Sequence, residues 1–79
     1  MENEIKEIVA EIVEEYAAEI MAVGLKDNLL ELGVDSMNSI EIVVELEEKF
    51  GVEIDIEELT VENIGSIEGL IELVKNAQN

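Results

Sequence analysis

The chain has 79 residues with four lysines, no arginine and twenty-one acids, for a formal net charge of −17. Hydrophobic residues make up 48% of it, too many for a disordered acidic tail, and the length allows one domain, 1–79, with a thin core. With no His and no Cys the usual general base, thiolate nucleophiles, disulfides and zinc clusters are excluded. The scattered Lys6, Lys26, Lys49 and Lys75 form no basic patch for nucleic acid or an anionic membrane surface.

Residues 2–22 carry apolar side chains at helical spacing: Ile5, Ile8, Val9, Ile12, Val13, Tyr16, Ala17 and Ile20. Glu4, Glu7, Glu11, Glu14 and Glu15 fill the other face, Glu2 and Glu4 suit the positive end of the helix dipole, and Gly24 is a stop signal. One helix over 2–22 is expected. In residues 23–34, Leu25, Leu29, Leu30 and Leu32 are too apolar for a free linker and should pin a long loop onto the core.

A second helix is expected from Ser36 to Phe50, with Asp35 and Ser36 both good N-caps and Gly51 beyond its end. Residues 51–56 alternate, with Val52, Ile54 and Ile56 apolar, but no second convincing strand exists for them to pair with. An extended connector with those side chains turned inward is expected. A short helix over 57–62 follows, then a last helix capped by Ser66 with Ile67, Leu70, Ile71 and Val74 facing in, its first turn weakened by Gly65 and Gly69. The fold class is all-α, a small bundle of three main helices plus one short one. No apolar run approaches the roughly 18–20 residues of a membrane span, and the start Met1-Glu2-Asn3-Glu4 lacks the basic opening of a signal peptide. A cytoplasmic monomer with positively charged partners is expected.

On a helical wheel with Met37 at zero, Ile42, Leu46, Phe50 and Val43 fall between about 140° and 240°, an ordinary core face. Met37, Ile40 and Val44 fall on a second arc, between about 300° and 360°. Glu47 lies between the arcs at about 280°, and Glu48 and Glu41 lie at about 20° and 40°. Carboxylates are almost never fully buried without a partner, so this second stripe reads as an exposed docking surface, with Met37, Ile40, Glu41, Val44, Glu47 and Glu48 as the partner interface. The competing reading is a helix buried on one wide face with Glu47 reaching outward.

Ser36 has no His to activate it, so hydrolysis in its own right is not expected. No Asp-x-Asp-x-Asp-Gly loop with a closing Glu is present, so no calcium or other metal site is expected. An isolated Asp-Ser pair would be a plain helix cap. Here it stands within Leu32-Gly33-Val34-Asp35-Ser36-Met37, which resembles the Leu-Gly-x-Asp-Ser-Leu/Met signature of acyl carrier proteins and related phosphopantetheine-binding carrier domains. Four fixed residues would match by chance in so short a chain roughly 0.002 times. Ser39-Ile40-Glu41-Ile42 and Glu47-Glu48-Lys49-Phe50-Gly51-Val52-Glu53-Ile54 are similar to the family's second helix and the loop after it, and length, acidity and helix order agree.

The resemblance implies an acyl-carrier-protein-like fold and a non-enzymatic role. Ser36 would accept 4′-phosphopantetheine from coenzyme A through a separate phosphopantetheinyl transferase, with Asp35 helping that enzyme hold metal and cofactor. The arm's thiol would hold an acyl or aminoacyl group as a thioester for loading and using enzymes of fatty-acid, polyketide or related biosynthesis. A helix N-terminus suits the phosphodiester, since free N–H groups and the dipole both favour an anion there. Asn38 departs from the family where many fatty-acid carriers have an acid, and residues 59–66 look longer, more like carriers of specialised pathways. The second hypothesis is an acidic interaction module for a basic partner, which gives no reason for Leu-Gly-x-Asp-Ser at a helix start.

Overall fold

The computed structural model describes residues 1–78, the side chain of Ser36 excepted, and every regular element among them is helical. The expected continuous first helix is broken. α1 spans Glu2–Ile12, a 3-10 turn follows at Glu14–Tyr16, and α2 resumes over Ala17–Ala22. The break centres on Val13 (φ −109°, ψ 68°), whose carbonyl accepts the Tyr16 N–H at 3.1 Å. Glu7, Glu11, Glu15 and Glu19 stand four apart with no cation among them, and each like-charge pair weakens a helix by a few tenths of a kcal/mol. Val13 and Ile20 stay buried across the bend, whereas Tyr16, expected to face inward, is 38% exposed. α2 also stops short of Gly24. Val23 is already extended, and Gly24 belongs to the next turn, its N–H donating to Asp27 Oδ2 at 2.9 Å.

The 23–34 loop is fixed less by leucines than by backbone. Leu29 is buried, but Leu25 and Leu30 remain exposed. The Leu29 N–H donates to Gly65 O at 2.8 Å and the Glu68 N–H donates to Leu25 O at 2.9 Å, which ties the loop to the far end of the chain. Within it, Leu29–Leu32 makes a 3-10 turn capped by Asn28, whose Oδ1 accepts the Leu30 N–H at 2.9 Å.

α3 spans Ser36–Phe50 as expected and ends on Gly51, whose φ of 63° favours glycine. The connector is extended, with Ile54 buried and Val52 half-buried, but Ile56 is 79% exposed rather than turned in. In place of one short helix over 57–62 there are two pieces, a 3-10 turn at Ile56–Glu58 and α4 over Val61–Ile64. Local capping divides them. Asp55 accepts the Glu57 N–H at 3.1 Å and Thr60 Oγ1 accepts the Asn63 N–H at 3.3 Å, so each side chain starts its own turn. α5 spans Ile67–Gln78, and Ser66 Oγ accepts the Gly69 N–H at 3.1 Å as the expected cap. Ile67, Leu70 and Val74 are buried, while Ile71 is half-buried.

Ile5 and Val9 of α1, Ile42 and Leu46 of α3, and Leu70 and Leu73 of α5 fill the centre of the bundle at 1% exposure or less. Counting the broken α1–α2 pair as one, the all-α bundle of three main helices with a short α4 is the architecture expected from the sequence. No described helix is long and apolar enough to cross a membrane.

Candidate functional site: the start and outer face of α3

The Leu32–Met37 segment is held from both sides. Gly33 sits at φ 85°, and a Cβ there would come within 2.8 Å of Tyr16 Cε2, so the ring exposed by the α1–α2 break lies against the motif glycine. Val34 is buried, and its N–H donates to Leu29 O at 3.4 Å. Asp35 is extended and is the N-cap of α3. Its Oδ1 accepts the Asn38 N–H at 2.8 Å, while the Asp35 N–H donates to Asn38 Oδ1 at 3.3 Å. This is a reciprocal capping box, which sequence reading missed because Asn rather than Glu or Gln stands at its third position. Ser39 is buried, and its Oγ donates to Asp35 O at 2.8 Å.

Ser36 is therefore the first residue of a firmly capped helix; the reach of its hydroxyl lies outside the described residues. Beyond the Asp35 cap the first turn of α3 carries no acid, so that one carboxylate is the only acid of this segment set against the positive end of the dipole. That environment fits a phosphodiester anion. The next residue, Met37, is 73% exposed, so the helix start lies open on that flank.

The outer stripe is exposed along its length, with Ile40 at 60% and Val44 at 45%. These values exclude the wide buried face. Glu41 and Glu48 border the stripe as exposed carboxylates. Glu47 does not match them. It is half-buried, and its Oε2 accepts the Ile54 N–H at 2.8 Å. Sequence reading missed two further exposed apolar residues, Ile56 and Val61, at 79% and 68%. Each follows a capping residue, Asp55 or Thr60, and that placement was the signal available.

Two substitutions separate what Asp35 does for folding from what its charge does. Asp35→Ala removes the cap acceptor and should lower stability by about 1 kcal/mol, whereas Asp35→Asn keeps an acceptor and should stay within about 0.5 kcal/mol of wild type in chemical unfolding.

An acidic helical bundle that opens an exposed apolar stripe at a capped Asp-Ser helix start has the form of a carrier domain. The family model described as "Phosphopantetheine attachment site" matches residues 3–74, and the chain belongs to that family. It is 42% identical over 78 residues to an acyl carrier protein of Kocuria rhizophila, covering 96% of this chain and 94% of the relative. It is 32% identical over 76 residues to a D-alanyl carrier protein of Streptococcus suis (90% and 96% covered), and 37% identical over 65 residues to an acyl carrier protein of Campylobacter concisus (81% and 82% covered). The protein is thus a carrier and not an enzyme, and its prosthetic group is covalently attached 4′-phosphopantetheine. Membership decides against the alternative of a bare acidic interaction module.

Proposed function

We propose that the whole chain, 1–79, is one carrier domain acting as a cytoplasmic monomer, and that Ser36 is its point of attachment. The observation that carries this reading is the place of Ser36. It is the serine of Leu-Gly-x-Asp-Ser and the first residue of a capped helix whose first turn holds no acid. In the attachment step the Ser36 oxygen forms a bond to the phosphorus nearest pantetheine in coenzyme A. The pyrophosphate P–O bond breaks and adenosine 3′,5′-bisphosphate leaves. The hydroxyl proton passes to a base of the phosphopantetheinyl transferase, since this chain has no His. Asp35 lends that enzyme a carboxylate toward its metal and cofactor. Once in place, the group supplies a terminal thiol that holds an acyl or aminoacyl cargo as a thioester, cargo classes consistent with relatives named for acyl and D-alanyl groups. The enzymes that load and use this cargo belong to fatty-acid, polyketide or related specialised biosynthesis.

Partners dock on Met37, Ile40 and Val44, with Glu41 and Glu48 steering a basic surface into register. Glu47 was expected beside them, but its carboxylate is already engaged by Ile54. Glu41→Lys should raise the transferase KM roughly two- to tenfold while changing stability by less than about 0.5 kcal/mol. Equal losses in transfer and in melting temperature would show a folding role instead. The test of the carrier reading is intact mass. Incubation with coenzyme A and a transferase of broad specificity should add one phosphopantetheinyl group to wild type, and repeated failure with several transferases would refute the attachment site.

A further inference from the structure

Glu47 stands apart from the other carboxylates of α3. Its own carbonyl accepts the N–H groups of Gly51 and, at 3.1 Å, Val52, closing the C-terminus of the helix. Its side chain then reaches forward seven residues to accept the Ile54 N–H at 2.8 Å. One residue thus binds the N–H groups of Gly51, Val52 and Ile54, and Ile54, 9% exposed, is the connector side chain seated in the core. Between the end of α3 and the connector lies an open groove walled by Val44, Val52 and Ile54 and rimmed by Glu47, Glu48 and Glu53. It is continuous with the apolar stripe through Val44. An apolar floor beneath carboxylates suits the alkyl stem and cationic head of a lysine or arginine.

We infer that Glu47 is a positioning residue rather than a docking acid: it holds the connector against α3 and so shapes a groove in which a partner protein's Lys or Arg lies, its stem on Val44 and Val52 and its charge met by Glu48 and Glu53. The partner class follows from charge complementarity with a chain of net charge −17. The inference rests on the carrier reading only for the identity of the partner, the transferase being the first of that class.

Gln keeps a carbonyl acceptor but no charge, so it separates the two roles. In the full chain, Glu47→Ala should speed amide exchange at Ile54 at least ~10-fold, and Glu47→Gln less than ~3-fold, with Leu73 in α5 unchanged as a reference for global opening. With coenzyme A and a transferase, Glu47→Ala should raise KM more than kcat falls, and Glu47→Gln should largely restore it. Glu48→Gln should raise KM with Ile54 exchange unaltered. Three results would each overturn the inference: Gln as damaging to KM as Ala, Ile54 exchange unmoved by Glu47→Ala, or Leu73 accelerating in step with Ile54. Absence of any modification of wild type would instead overturn the carrier reading, and the exchange series would still decide the role of Glu47.

Discussion

Ser36→Ala should abolish phosphopantetheinylation while leaving the fold intact, read as no mass gain under conditions that convert wild type fully. Loss of modification through unfolding is not expected, because the cap belongs to the neighbour. Asp35 Oδ1 takes the Asn38 N–H and Asn38 Oδ1 takes the Asp35 N–H, and neither bond uses the Ser36 side chain. Ala is also the best helix former, so the stability change should lie within about 0.5 kcal/mol. Nor should another serine substitute. Ser39 is buried, with its Oγ donating to Asp35 O, and Ser66 Oγ is engaged as the cap of α5. Residual modification of a folded Ser36→Ala chain would mean that the family signature has been matched to the wrong residue. Asp35→Asn completes the argument. It should fold like wild type yet be modified more slowly, since it keeps the cap acceptor and loses the charge offered to the transferase.

The parts legible in the sequence are those governed by a single helix. α3 begins and ends where its caps say, because Asp35 and Gly51 act through bonds no more than five residues long. The outer stripe was readable for the same reason: on one helix, angle alone separates Met37, Ile40 and Val44 from Ile42 and Leu46. What failed depended on a second element. Apolar spacing runs unbroken through Val13, so periodicity gave no sign of the bend, although the stacked glutamates did carry one. Alternation turned Ile56 inward along with Ile54, but Asp55 starts a turn that carries Ile56 out of the strand period and into water. Glu47 fell between the two arcs of the wheel, which is correct as an angle. That it receives Ile54 depends on the connector folding back over that boundary, and no single-helix projection contains this information.

The same limit hides the meaning of Gly69, which propensity alone marks as a weakness in α5. Gly69→Ala should be among the most damaging single substitutions in the chain, although Ala is the better helix former. A Cβ at this position would fall 2.8 Å from Asn63 C and from Glu62 O, with Asn63 O nearer still. All three are backbone atoms, which cannot swing aside as a side-chain tip would. The α4–α5 corner also has little room to slide. Asn63 Nδ2 donates to Glu58 O at 2.7 Å, Gly65 O accepts from Leu29, and the Glu68 N–H donates to Leu25. Moving α5 away would break the bonds that tether the 23–34 loop, and through Leu29 would loosen Val34 and the start of α3. Overpacking of a fixed site commonly costs 1–3 kcal/mol, and backbone contact on this scale belongs at the upper end, about 3 kcal/mol. For a domain of this size that corresponds to a fall in Tm of roughly 12–24 °C, a large share of its whole stability. Thermal unfolding of the two chains decides the matter, and amide exchange at Leu29 should accelerate at temperatures where α3 of the variant is still protected. A Tm within about 3 °C of wild type would show that α5 can shift without disturbing the loop that leads into Ser36.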